Sequence, residues 1–154
     1  MKSVAIVGLG WLGLPLAQHL KKLGWRVKGS KQSLADAQRL HRLGIEAYPF
    51  SLSEKMNALP DNIQSLFDVD ALIITLPPSS FSSQQYCEHL AFLANQAKKQ
   101  GVQHLIFTSS TSVFPDISGQ FDESSQLSAE TEMGKTLIQA EQCLLQSKIS
   151  HCDI

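Results

Sequence analysis

The residues with the clearest chemical meaning lie near the start of the chain. Gly8-Leu9-Gly10-Trp11-Leu12-Gly13 spaces three glycines as G-x-G-x-x-G. That spacing holds a pyrophosphate when a strand precedes it and a helix follows. Gly8 permits the tight turn, Gly10 lets the backbone approach the phosphates, and Gly13 lets helix and strand pack closely. The first N–H groups of the helix have no partner within it and face the anion. A second group, Gly29-Ser30-Lys31-Gln32-Ser33, stands where such a site reads the adenosine ribose. Sites for NAD place Asp or Glu there. This chain has no acid before Asp36, while Lys31 and the Ser30 hydroxyl suit a 2′-phosphate, so NADP is expected ahead of NAD. A third group, Thr108-Ser109-Ser110-Thr111-Ser112, crowds hydroxyls at the end of an apolar run.

These groups need elements to place them. Ser3–Val7 reads as a strand, and Trp11–Leu23 as a helix with Leu12, Leu16, Leu20 and Leu23 at helical spacing. Pro15 falls in its first turn, where proline is tolerated. Trp25–Gly29 is a second strand. A capping box at Ser33–Asp36 opens a helix whose Leu34, Ala37, Leu40 and Leu43 share a face. Ile45–Phe50 is a third strand, and 51–67 is a short helix and a turn around Pro60. Asp70–Leu76 is a strand stopped by Pro77-Pro78. Gln84–Gln100 is a helix with Leu90, Leu93, Ala94 and Ala97 inward. Val102–Thr108 is a fifth strand, Ser128–Gln146 a last helix, and Ile149–Ile154 the start of a sixth strand. Apolar strands alternating with helices give a parallel sheet covered on both faces. The expected fold is α/β, a Rossmann-type doubly wound sheet of order 3-2-1-4-5 with a partial sixth strand. Its ligand lies at the carboxyl ends of the strands.

Length and composition bound the reading. At 154 residues, with 43% hydrophobic and 18% charged residues and a formal charge of −1, the chain suits one soluble domain. Nothing basic enough for nucleic acid stands out, nor an apolar run long enough to span a membrane. The N-terminal apolar run breaks at Gly8 and fits a strand better than a signal peptide. Cys87, Cys143 and Cys152 are odd in number and widely spaced, which suits idle thiols in a reducing, cytoplasmic setting and no metal. The five histidines are scattered and receive no role.

Leu105-Ile106-Phe107-Thr108-Ser109-Ser110-Thr111-Ser112-Val113-Phe114, followed by Gly119-Gln120-Phe121-Asp122-Glu123-Ser124, resembles the extended short-chain dehydrogenase/reductase superfamily, the NAD-dependent epimerases and dehydratases of nucleotide sugars. Gly134-Lys135-Thr136-Leu137-Ile138-Gln139-Ala140-Glu141 is similar to that superfamily's Tyr-x-x-x-Lys helix. The G-x-G-x-x-G and Pro77-Pro78 resemble an atypical subgroup that keeps the older glycine spacing. The resemblance covers essentially the whole chain, as a nucleotide-binding domain of residues 1–154 without the superfamily's C-terminal substrate domain. It implies that Gly8, Leu9, Gly10, Trp11, Leu12, Gly13, Ser30, Lys31, Leu76, Pro77 and Ser109 hold the dinucleotide, and that Ser110 orients a substrate hydroxyl. It makes Asp122-Glu123 a turn feature. The tyrosine position is Met133 and the lysine position Leu137, neither able to move a proton near neutral pH. Met133, Leu137, Ala140 and Leu144 instead make an apolar stripe for packing.

The expected function is a dinucleotide-binding protein of that superfamily without its usual tyrosine–lysine catalysis, in a cofactor-binding or sensor-like role. The alternative is an oxidoreductase or epimerase, acting on a nucleotide sugar or another carbonyl or hydroxyl substrate, with its acid and base from elsewhere. A bare structural module is a third possibility. A homodimer is expected through the helices Gln84–Gln100 and Ser128–Gln146, with Ile138 and Leu145 covered by the partner. The substrate itself is not readable.

Overall fold

The apolar runs become six parallel strands in the computed structural model, which describes residues 2–53, 61–78 and 81–154. The strands are β1 (Ser3–Val7), β2 (Arg26–Lys31), β3 (Glu46–Pro49), β4 (Ala71–Ile74), β5 (His104–Phe107) and β6 (His151–Asp153). They form one sheet in the order β3-β2-β1-β4-β5-β6, with every neighbouring pair parallel. The helices are α1 (Gly13–Lys22), α2 (Leu34–Arg42), the short α3 (Asp61–Gln64), α4 (Ser83–Lys99) and α5 (Glu132–Leu145). Single 3₁₀ turns occupy Ser65–Phe67 and Thr111–Val113.

Alternate strand residues point to opposite faces, and the sheet has a core on each. On one face Ala5, Val7, Leu72, Ile74, Leu105 and Phe107 meet Leu90, Leu93, Ala94 and Ala97 of α4 and Leu137, Ala140 and Leu144 of α5. On the other, Val4, Ile6, Val27 and Ile73 meet Ala17 of α1 and Ala37 and Leu40 of α2. Each buried aliphatic side chain contributes about 1.5–3 kcal/mol. At the opening of the sheet, Ser3 and Asp70 clasp each other. The Asp70 carboxylate accepts from the Ser3 N–H at 2.8 Å and its hydroxyl at 2.7 Å, and the Ser3 hydroxyl accepts from the Asp70 N–H at 3.0 Å.

Several expectations change on folding. β2 runs on to Lys31, because pairing with β3 carries Ser30 and Lys31 into the ladder opposite Tyr48 and Pro49. α1 starts at Gly13, later than Trp11, since the preceding residues form the turn. Leu34 and Leu43 are exposed, at 59% and 60%, because they overhang the ends of α2 where only Ala37 and Leu40 reach the sheet. α5 starts at Glu132, four residues later than Ser128. The Thr131 hydroxyl caps it by accepting from the Gly134 N–H at 3.0 Å, while the Ser128 N–H bonds to the Val113 carbonyl. Met133, in that first turn, is 48% exposed and does not join the stripe of Leu137, Ala140 and Leu144. Ile138 is half-buried and packs against the chain's own core, while Leu145 is exposed. The expected turn at Pro60 lies outside the described residues. The sheet is also not covered everywhere: His104, Ile106, His151 and Asp153 are exposed on one face of β5 and β6. The rings of His104 and His151 stack there, 4.6 Å apart.

Two outcomes follow. Bonds from Ser3, first its hydroxyl and then its N–H, hold the Asp70 carboxyl below its ordinary value of 3.8. A lowered folded-state value means that the stabilisation is full above the unfolded value and is lost as pH falls through the folded one. Asp70→Asn therefore lowers stability at neutral pH, and denaturant titrations of variant and parent converge in strong acid. A Cβ at Gly13 would lie 2.2 Å from the Gly8 carbonyl oxygen, and main chain cannot move aside as a flexible side chain can. Gly13→Ala is expected to cost about 1–3 kcal/mol, read as a lower melting temperature.

Candidate functional site

The glycine turn is fixed by hydroxyls from the strands on either side of β1. Gly8 has φ +109°, a region that favours glycine. Its N–H donates to the Ser30 hydroxyl of β2 at 3.0 Å. Its carbonyl accepts from the Thr75 hydroxyl, one residue past β4, at 2.6 Å. The Leu9 N–H then donates to the Ser30 carbonyl at 2.8 Å, and the Gly10 N–H to the Gly8 carbonyl at 2.8 Å. Ser30 is 1% exposed. Its hydroxyl braces the turn, so of the two groups expected to meet a 2′-phosphate only Lys31 has its side-chain cation to offer.

Beyond this clamp, the N–H groups of Trp11, Leu12 and Gly13 have no acceptor among the described residues. Leu12 stands at the N-cap of α1 and offers no side-chain cap, and the first turn carries no acidic residue. These are unspent donors at the positive end of a ten-residue helix. A Cβ on Gly10 would meet nothing within 4 Å, so the space over the turn is open. Trp11 stands 90% exposed beside it.

Three clefts run along this carboxyl edge of the sheet. The first, ≈ 390 Å³, is bounded by Gly8, Leu9, Gly10 and Trp11, by Ser30, Lys31, Gln32 and Asp36, and by Phe50, Thr75, Leu76 and Pro77. The second, ≈ 220 Å³, lies over Gly10–Gly13 with Thr75, Thr108 and Ser109. The third, ≈ 550 Å³, is lined by Ser109, Ser110, Thr111, Val113, Phe114, Asp122, Glu123, Ser125, Leu127, Glu141, Leu145 and Ile154. Gly10, Trp11 and Thr75 are common to the first two, and Ser109 to the last two. The result is one groove crossing the ends of β2, β1, β4 and β5.

In the first cleft, Asp36 accepts from the Ser33 hydroxyl at 2.8 Å and lies 3.5 Å from Arg39. The Lys31 cation makes no ion pair among the described residues. In the third, the Ser109 hydroxyl donates to the carboxylate of Glu141, a residue only 8% exposed. Ser110 is exposed, and its hydroxyl accepts from the Ser112 N–H at 3.2 Å. The Ser124 hydroxyl and N–H hold the Asp122 carboxyl below its ordinary value. Leu137 is 5% exposed in the core, and neither it nor Met133 is among the residues lining the three clefts.

Sequence reasoning missed Thr75, Asp36 and Glu141. Thr75 is a hydroxyl one residue before the cleft-lining Leu76, a signal of the kind that singled out Ser30. Glu141 entered only as the last residue of the stretch that resembles the superfamily's helix. The cysteines stand apart from the groove. Cys143 donates to the Cys87 carbonyl at 3.4 Å, and burial pushes the Cys87 thiol up to about 11, which keeps it unreactive. No group of three or more metal-ligating side chains occurs among the described residues, and no helix is long and apolar enough to cross a membrane.

No family model matches the chain. Protein YeeZ of Escherichia coli (strain K12) is 38% identical over 146 residues, covering 94% of this chain and 53% of that protein. The chain thus spans about half the length of the curated relatives it matches. The UDP-Glc/GlcNAc 4-epimerase from Campylobacter jejuni superposes with a TM-score of 0.78 at 16% identity, over 99% of this chain and 52% of that one. Triphenylmethane reductase of Citrobacter sp., solved with NADP(H), superposes at 0.69 and 19% identity, over 96% of this chain and 47% of that one. The chain has the Rossmann-type fold shared by these epimerases and reductases, the fold that its own glycine turn and strand pattern imply.

Proposed function

We propose that this chain is the NAD(P)-binding domain of a protein of the epimerase/dehydratase superfamily that works without the superfamily's tyrosine–lysine pair. The observation that carries the reading is the row of unspent N–H donors at Trp11, Leu12 and Gly13 above a clamped Gly8. Successive N–H groups at a helix start attract a phosphate by hydrogen bonding and by the helix dipole together. The open space over Gly10 leaves room for that phosphate. The ≈ 390 Å³ cleft then takes the adenosine, with Leu9, Leu76 and Pro77 as apolar walls and Lys31 facing a 2′-phosphate, which favours NADP over NAD. The nicotinamide half extends past Ser109 toward Ser110. The dinucleotide supplies hydride chemistry, while the chain binds and orients it. Met133 and Leu137 lie off the groove, in line with a protein that does not use those positions for proton transfer.

Calorimetric titration tests the reading. NADPH is expected to bind with micromolar affinity at best, since a lysine absent from position 137 withholds a charged hydrogen bond worth about 1.5–3 kcal/mol. Absence of heat with millimolar NADPH and NADH would overturn it. Gly10→Ala, which meets no neighbour, is expected to keep the parent's melting temperature and to lose dinucleotide affinity at least tenfold. Lys31→Glu is expected to shift the preference toward NADH, and an unchanged ratio rejects NADP selection by this lysine. UDP-glucose is expected to show no epimerisation in the same preparation.

A further inference from the structure

α4 and α5 lie against each other on one face of the sheet, and each carries a cysteine into the contact. At one point the Ser83 and Thr136 hydroxyls hydrogen-bond at 2.6 Å. Further along, the Cys143 thiol donates to the Cys87 carbonyl at 3.4 Å. The Cys143 sulfur thus touches the main chain of Cys87, and the Cys87 thiol hydrogen-bonds that sulfur in turn. Both side chains are half-buried. Cys152, on β6, is different: burial and then Asp153 raise it, and no thiol acts on it. The pair stands behind the groove. Tyr86, next to Cys87, donates to the Leu76 carbonyl at 2.6 Å, and Leu76 lines the first cleft. Glu141, on the same helix as Cys143, accepts from Ser109, which lines the second and third.

We infer that Cys87 and Cys143 form a modification site, at which a low-molecular-weight disulfide such as oxidised glutathione converts the two thiols into a disulfide that staples α4 to α5. The proposal is independent of the dinucleotide reading. Bonded sulfurs lie about 2 Å apart, and hydrogen-bonded thiols reach that by side-chain rotation and a small inward shift of the helices. Cys143 reacts first, because its thiolate accepts the Cys87 hydrogen bond, while burial and then Cys143 push Cys87 up to about 11. The Cys143 thiolate attacks one sulfur of the small disulfide. That S–S bond breaks, a mixed disulfide forms on Cys143, and one small thiolate leaves. Cys87 gives its proton to water and attacks the Cys143 sulfur, which expels the second small thiolate. Two protein thiols are oxidised, and the small disulfide is reduced to two thiols that take up the two protons released. The groups that act on Cys87 are Cys143 across the contact and Glu88 and Tyr86 on its own helix. None is a cation that would hold a thiolate. The attack is therefore slow at neutral pH, but the reduced pair gains no stability from an ionised sulfur, and the equilibrium favours the disulfide.

The test incubates the folded, fully reduced chain with oxidised glutathione at pH 7, 8 and 9. Thiols are counted in denaturant with a chromogenic reagent, peptides are mapped by mass spectrometry without reduction, and melting temperature is read before and after. The count is expected to fall from three thiols to one. The peptides holding Cys87 and Cys143 should appear joined, two hydrogens lighter than their sum. The rate should rise about tenfold per pH unit, following the thiolate fraction. The melting temperature should rise by about 4 °C or more, since closing so long a loop restricts the unfolded chain, and should fall back when dithiothreitol is added. Cys152→Ser should cross-link like the parent. Cys87→Ser should stop at a glutathione adduct on Cys143, and Cys143→Ser should form an adduct on Cys87 at least about tenfold more slowly. A cross-link through Cys152, glutathione left on both Cys87 and Cys143 with no bond between them, or three free thiols after incubation at pH 9 overturns the proposal. A cross-linked chain that melts at or below the reduced one overturns the staple.

Discussion

The clamp on Gly8 is the constraint from which the rest of the groove takes its shape. One peptide unit is held by a serine hydroxyl from β2 and a threonine hydroxyl from β4, strands that flank β1 on opposite sides. Each bond is worth about 1 kcal/mol net, but their geometric effect is larger. They fix the φ of +109° that turns the chain upward. The Gly8 carbonyl also lies so close to residue 13 that only glycine fits there, where the helix begins. The N–H groups at 11, 12 and 13 are left without acceptors among the described residues because they open α1, and the first N–H groups of a helix have no partner within it.

The groove changes character along its length. Near β2 it carries Lys31 and Asp36, over β1 it offers main-chain donors, and past β5 it becomes acidic. Met133 and Leu137 line none of the three clefts: Leu137 packs in the contact of α5 with the sheet, and Met133 is exposed at the helix start. A buried polar contact of α5 is made one turn further on, by Glu141 with Ser109.

The uncovered face of β5 and β6 marks another limit. Leu105 and Phe107 are buried under α4 and α5, while Ile106 between them is 37% exposed. Without side-chain context an apolar run such as Leu105–Phe107 looks buried on both faces, since the run records hydrophobicity and not which helices lie above it.

Much of the architecture was legible in the sequence because it rests on local rules. The glycine spacing, the runs of β-branched residues and the punctuation at Gly24, Gly44 and Gly101, each at positive φ, specify strand, turn and helix within a few residues of chain. The parallel, doubly wound sheet followed from the alternation of elements and general rules of connection, and its strand order from the Rossmann-type reading of the glycine turn. Element ends were less legible. Lys31 joins β2 only because β3 pairs with it, and Thr131 rather than Ser128 caps α5 because Val113 has already claimed the Ser128 N–H. The sequence by itself determined that a glycine turn would sit at the carboxyl edge of a parallel sheet. Only the tertiary structure decided that Ser30 and Thr75 brace that turn, that Met133 lies outside the core, and that Glu141 meets Ser109, because each depends on contacts between residues distant in sequence, and one-dimensional spacing does not encode them.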